Sequence, residues 1–313
     1  MAEQVDISPF APLDEEVVGR WMDSLHLSSG TKATYRRGFK VFCAFVRDTS
    51  LDFDELSKDD VESFREYLIA ERHLRPTTVS NYLGAVRSFF AYAEDCGIEN
   101  VARGVRGERL SRDFKKDTLT ADQAKRMLAA IDRETEGGMR DYAMLNLMLR
   151  TGLRDIEVAR ADAGDIRTRG SVDVLYVQGK GRPGKDAFVV LTQGALGPIR
   201  EYLDARSKSH GRIDDGAPLF ASIANRNAGA RLTTRSISRI AKGAMRAIGI
   251  DDERHTAHSL RHTAITFSLL GGASERDAQQ MARHADISTT MIYSHNIERI
   301  KNAAENKIDA VLD

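Results

Sequence analysis

Four short segments of this chain carry side chains that can handle a phosphate. Arg154 follows Thr151-Gly152-Leu153, a helix-stop signal, so it enters at the first turn of a helix, with Glu157 three residues on. Lys180 and Lys185 lie five apart in a Gly- and Pro-rich turn. His258 and Arg261 are three apart, which sets both on one helical face. His284 precedes Tyr293 by nine. A guanidinium fork matches two non-bridging phosphate oxygens, and a helix N-terminus adds partial positive charge. A phenol with a pKa near ~10 is a poor nucleophile unless cations surround it. Each residue alone also has a plainer reading, as a surface ion pair or a packing residue.

Two patterns point elsewhere and fail on inspection. His258 and His262 have the spacing of a helical zinc pair, but Ser259 stands where a zincin helix carries Glu. Positions 258–270 hold no acid, and neither cysteine is near, so no metal site is expected. Gly179 to Lys185 matches the P-loop spacing, but Asp186 replaces the magnesium-binding Ser or Thr. That segment also leads into a strand, where a P-loop opens a helix.

These residues must be positioned by a mainly α-helical chain. Residues 1–27 are acidic and read as partly loose. Ser28 or Ser29 can cap a helix whose apolar face is Tyr35, Phe39, Phe42 and Val46. Ser57 and Asp60 form a capping box, and Pro76 opens a third helix. Residues 103–117 are rich in Arg and Lys and poor in apolar side chains, which predicts a basic linker. Thr120 and Gln123 form another capping box. Helices are expected over 139–151, from Arg154, and over 193–206, 233–247, 258–269 and 275–283. A last helix is expected over 296–311, with Ile297, Ile300, Ala304, Ile308 and Val311 on one side. Val172–Val177 and Ala187–Leu191 read as strands of a small antiparallel sheet. The division predicted is 1–102, a linker over 103–117, and 118–313.

Composition narrows the class. The chain has 313 residues, 42% hydrophobic and 29% charged, as ordinary globular proteins have. No apolar run reaches about 18 residues, and the N-terminus lacks the regions of a secretory signal. Two cysteines, Cys43 and Cys96, suit a reducing cytosol. Lys+Arg and Asp+Glu both total 46. Residues 1–102 hold 11 basic and 18 acidic side chains, which leaves 35 and 28 for the remainder. Phosphate binding depends on local potential, so zero net charge does not exclude a polyanion.

In order, the chain reads Arg154 with Glu157, then Lys180 on a hairpin, then His258-Ser259-Leu260-Arg261-His262, then His284 and Tyr293. This series resembles the tyrosine recombinase, or phage-type integrase, family over about 119–295. Residues 30–100 resemble that family's helical core-binding domain by helix pattern and length. The resemblance implies that Arg154 and Arg261 brace a scissile phosphate and that Tyr293 attacks phosphorus. The product would be a 3′-phosphotyrosyl link and a free 5′ hydroxyl. Lys180 would protonate the leaving oxygen, with Lys185 as the alternative. His258 would assist proton transfer, His284 would bond the phosphate, and Glu157 would support the site. No metal, ATP or other cofactor is implied. One departure is Arg283, where the family usually has glycine before His284. His262 beside Arg261 is common in the pattern and has a structural reading.

The implied partner is a double-stranded DNA target. Lys32, Arg36, Arg37 and Lys40 on the first helix, Arg75 and Arg87 around the third, and Arg231, Arg235 and Arg239 in the second domain are the candidate contacts. A homo-oligomer on DNA, tetrameric at synapsis, would be linked by the C-terminal helix, which could equally dock on its own chain. Accessory DNA-bending proteins are further candidate partners; a membrane is not. The expected location is the cytoplasm, on the nucleoid when DNA-bound. A non-cutting DNA-binding relative, a type IB topoisomerase and a zinc hydrolase are the rival readings.

Overall fold

The computed structural model describes residues 15–108, 117–179, 182–305, 308 and 312. It divides into two compact units, Met1–Asp113 and Phe114–Asp313.

The first unit is built from α1 (Glu15–Ser24), α2 (Ser29–Asp48), α3 (Lys58–Ala70) and α4 (Pro76–Glu94). Ser28 caps α2, and the Ser57–Asp60 box caps α3. Pro76 sits where its missing N–H costs nothing. The core is aromatic: Trp21, Phe39, Phe42, Phe64, Phe89 and Phe90 are buried together. A Cβ on Gly38 would lie 2.9 Å from the Tyr82 Cα, so glycine lets α2 and α4 approach closely. Within the segment read as partly loose, Glu15–Ser24 form the helix α1, and residues 1–14 lie outside the described residues. Val18, Trp21 and Met22 share one face of α1 and are buried. The Trp21 ring meets Phe39 and Phe89 edge-on at 5.1 and 5.4 Å. Ala102 and Val105 also pack in this core, and Arg87 donates to the Val105 carbonyl at 2.8 Å. The start of the expected linker is therefore packed; residues 109–116 lie outside the described residues.

The second unit contains α5 (Ala121–Ala129), α6 (Glu136–Thr151), α7 (Asp155–Arg160), α8 (Gln193–His210) and α9 (Thr234–Arg246). It continues with α10 (Ala257–Leu270), α11 (Glu275–Ala282) and α12 (Ser288–Lys301). Residues 143–149 of α6 are all buried, Asn146 among them, so this stretch is covered on every side and forms the centre. A three-stranded antiparallel sheet, β1 (Ile166–Arg169), β2 (Val172–Val177) and β3 (Ala187–Val190), runs in sequence order. Ile166 pairs with Leu175, and Val177 with Ala187. β1 was not expected: its run Ile-Arg-Thr-Arg is polar, and pairing across Gly170 recruits it. Among the described residues no helix is long and apolar enough to cross a membrane.

The expected helix over 296–311 is corrected. α12 starts earlier, at Ser288, carries Tyr293, and stops at Asn302. The Asp286 carboxylate accepts from the Ser288 amide at 2.9 Å, which satisfies one orphan N–H of the first turn. Beyond α12, Ile308 and Leu312 are helical and exposed. The Ile300 side chain and Val311 lie outside the described residues.

Candidate active site

Arg154 is placed by two local signals. Gly152 ends α6 in the left-handed region (φ 62°), and Arg154 is the N-cap of α7. Glu157 closes the turn: its Oε2 accepts from the Arg154 amide at 2.7 Å, and its Oε1 from the Arg154 guanidinium at 3.2 Å. Glu157 is 1% exposed. Burial raises its pKa, but the bonds and charges of Arg283 and Arg154 win and hold it below the usual range.

Arg261 is the hub. It is 2% exposed on α10 and donates to the carbonyls of Gly152 and Ala282. Burial, with the charges of Arg154 and then Arg283, pushes its pKa down to about 9, and Glu157 and Tyr293 oppose the shift. It therefore stays cationic at neutral pH, in an environment that lacks full charge compensation. Arg154, Arg261, Glu157 and Tyr293 thus lie within electrostatic reach of one another, although more than a hundred positions separate Arg154 from Tyr293.

Tyr293 is 4% exposed and packs with Ile265, Ala278 and Ala282. Its hydroxyl hydrogen-bonds Nδ1 of His262, with the rings 5.5 Å apart. Burial pushes the phenol up to about 12 against the pull of Arg261. Burial, then the charges of His258, Arg261 and His284, pushes His262 down to about 3. His258 is exposed in the first turn of α10, with its ring edge-on to His262 at 4.6 Å. The imidazole at the phenol is thus His262, whose partner lies 31 residues away on another helix. No local spacing in the sequence encodes that contact.

His284 is half-buried and shares a hydrogen bond of 2.8 Å between Nδ1 and the Thr290 hydroxyl. Burial, then Arg261, Arg154 and Arg283, pushes it down to about 4, so it is neutral at pH 7. Arg283 occupies the left-handed region (φ 55°) at the end of α11, a conformation that disfavours a side chain by about 1 kcal/mol. Its guanidinium lies on Glu157, at 2.7 Å from Nη2 to Oε2 and 3.3 Å from Nε to Oε1. A long cation where a glycine is usual was the sequence signal for an unusual turn; its partner was not legible.

Lys180 lies outside the described residues. Lys185 sits at 2.5 Å from both Asp162 and Asp165. Its own burial opposes them, but the two carboxylates raise its pKa, which disfavours release of its proton. Among the candidate DNA contacts, Arg36, Arg37 and Lys40 are exposed on α2, and Lys32 is half-buried. Arg75 is exposed as the N-cap of α4. The predicted stripe of Arg231, Arg235 and Arg239 is corrected. Arg231 precedes α9 and is bonded to the carbonyls of Ala159 and Ala161 and to Asp162. Arg235 and Arg239 remain exposed on α9. No group of three or more potential metal ligands occurs among the described residues.

Paired guanidinium groups beside a buried tyrosine, carried on a helical unit with a small sheet, make a site of the kind that handles phosphate. The comparisons with known proteins agree. Residues 117–299 match the phage integrase family, and residues 17–98 match the SAM-like N-terminal domain of phage integrases. The chain is 33% identical over 277 residues to the tyrosine recombinase XerC of Pelobacter propionicus, covering 86% of each. It is 30% identical over 275 residues to the tyrosine recombinase XerD of Listeria innocua, covering 86% of this chain and 89% of that one. The chain belongs to the phage integrase family, the tyrosine recombinases. Its fold is also that of a XerH site-specific recombinase solved in a post-cleavage complex with palindromic difH substrate. That likeness has a TM-score of 0.72 at 16% identity, over 93% of this chain and 88% of that one.

Proposed function

We propose that this recombinase cleaves and rejoins double-stranded DNA at a specific site through Tyr293. The Tyr293 oxygen attacks phosphorus, the P–O5′ bond breaks, and the 5′ oxygen leaves with a proton from Lys180. A 3′-phosphotyrosyl ester and a 5′ hydroxyl result, and attack by a 5′ hydroxyl reverses the step. Arg154 and Arg261 compensate charge on the equatorial oxygens, and Nε2 of His284 is the nitrogen able to meet the phosphate. The observation that carries this reading is the buried Tyr293 phenol in the field of Arg261, itself adjacent to Arg154.

The arrangement described is a resting one. A phenol pushed up to about 12 does not give its proton to an imidazole pushed down to about 3. An arriving phosphodiester, with one negative charge, weakens the positive local field. Its negative charge offsets Arg154 and Arg261 and so favours protonated imidazole. DNA therefore makes His262 a stronger base and releases the phenol it holds, a role for which His258 is the alternative.

Oligomers on DNA are part of the proposal. A λ integrase has been solved as a dimer on a core site and as a tetramer on a Holliday junction. Exposed Ile308 and Leu312 support docking of the tail on a neighbouring copy.

The test is covalent capture. A pool of nicked duplexes with randomised sequence is incubated with protein, denatured, and probed for DNA-linked protein. The wild type is expected to form the adduct and yield a recurring sequence. Tyr293→Phe should form none while still retaining duplex. An adduct with the variant moves the nucleophile elsewhere.

A further inference from the structure

The turn between α11 and α12 is built against its own backbone preference. Arg283 takes the left-handed region that glycine adopts without a clash. The turn itself has no need of the side chain. The bonds that end α11, from the Arg283 and His284 amides to the carbonyls of Gln280 and Gln279, are backbone bonds that glycine would make equally well.

The side chain serves the site instead. Its Nη2 and Nε cover both oxygens of Glu157, and its Nη1 donates to the Met281 carbonyl at 2.6 Å. The remaining partners of Glu157 are the amide and guanidinium of Arg154. The same turn supplies the Ala282 carbonyl to Arg261 and, two residues on, His284.

We infer that Arg283 is a positioning residue for strand cleavage, acting through Glu157 to keep Arg154 available to the phosphate. A buried carboxylate needs full compensation. With Arg283 covering it as a fork, the Arg154 guanidinium makes one long contact of 3.2 Å to Glu157. Its other donors can then turn to a phosphate. Without Arg283, Arg154 is the guanidinium that must satisfy Glu157, and it is drawn away from the substrate. The fork also fixes the turn bearing Ala282 and His284 to the start of α7, so both arginines keep one register.

This rests on the cleavage reading above, and the experiment separates the two. Wild type, Arg283→Gly, Arg283→Lys, Glu157→Gln and the double variant Glu157→Gln/Arg283→Gly are compared. The readout is single-turnover adduct formation at saturating protein, on nicked duplexes recovered with the wild type. Arg283→Gly suits the turn and is expected to bind DNA with unchanged affinity but cleave at least tenfold more slowly. Arg283→Lys, which restores charge without the fork, should fall between. The double variant should be no slower than the slower single one, because both changes break one linkage. Wild-type cleavage by Arg283→Gly, or rate losses that multiply in the double variant, overturns the inference. If Arg283→Gly is unfolded at the assay temperature, Arg283→Lys carries the test: a wild-type rate overturns it, and a reduced rate at unchanged affinity supports it. A wild type that forms no adduct fails the cleavage reading instead.

Discussion

Two imidazoles in the site are held neutral by burial and by neighbouring guanidinium groups, and this has a consequence for stability. His262 drops to about 3 and His284 to about 4, both below the ~6.5 of an unfolded histidine. The unfolded chain therefore binds more protons below pH ~6.5, so stability is full above that value and falls as the pH drops toward 3. His262 alone should remove roughly 2 kcal/mol between pH 6.5 and 4.5. His262→Asn places a non-titrating hydrogen-bonding group near the position of Nδ1. Urea unfolding at several pH values should then show a flatter acid limb for the variant. An unchanged limb would mean that His262 is not buried as the neutral form. The proton donor is testable at the same scale. Lys180→Ala should slow cleavage by ~10²–10⁴-fold, as loss of general acid catalysis does. A substrate with a better 5′ leaving group should restore the rate. Failure of that rescue would remove Lys180 from the role.

Elements turn these residues toward one another, and here the sheet has its own anchor. Lys185, at the end of the β2–β3 connection, is clamped by Asp162 and Asp165, and Asp162 also binds Arg231. Asp165 is 8% exposed on its side chain. Lys185→Met leaves these carboxylates short of a cation and should destabilise the protein by about 1–3 kcal/mol. Its cleavage rate at a temperature where it is folded should stay within a fewfold of wild type. A loss as deep as that of Lys180→Ala, rescued by the same leaving group, would instead make Lys185 the acid. Much of this scale was legible in the sequence. Ser28, Ser57 with Asp60, Pro76, Thr120 with Gln123, and Gly152 are local signals that depend on a few adjacent residues, and each marks a helix end in the structure. α1, β1 and the start of α12 were hidden for one common reason. Each is stabilised by partners distant in sequence: the Phe39 and Phe89 rings for Trp21, the β2 ladder for β1, and the pocket around Tyr293 for α12. The order of the phosphate-handling residues was visible, but His262 at the phenol and Arg283 on Glu157 are tertiary contacts that no spacing reports.

At the scale of the whole molecule, zero net charge conceals an uneven surface, and the tail leaves apolar groups uncovered. The acidic N-terminal hundred residues still gather Arg36, Arg37 and Lys40 on the exposed side of α2. Each phosphate contact adds about 0.9 to the slope of log affinity against log salt. Arg36→Gln with Arg37→Gln should therefore flatten that slope by about 2; an unchanged slope would take this face off the DNA. Assembly makes a separate demand. Ile308 and Leu312 are four residues apart, the spacing of one helix face, and both are exposed, at 56% and 79%. Covering a side chain of this size contributes about 1.5–3 kcal/mol, less the entropy of ordering the segment. A net gain of about 1.4–2.8 kcal/mol per neighbour would strengthen joint occupancy of two adjacent half-sites by ~10–100-fold. A chain ending at Asn302 keeps α12 and Tyr293, so it should cleave an isolated half-site within a fewfold of the full protein. Its binding to a two-half-site duplex should lose the cooperative step in a gel-shift titration. Ile308→Asp with Leu312→Asp in the full chain should do the same without shortening it. Cooperativity that survives both changes would place the contact between copies on another surface.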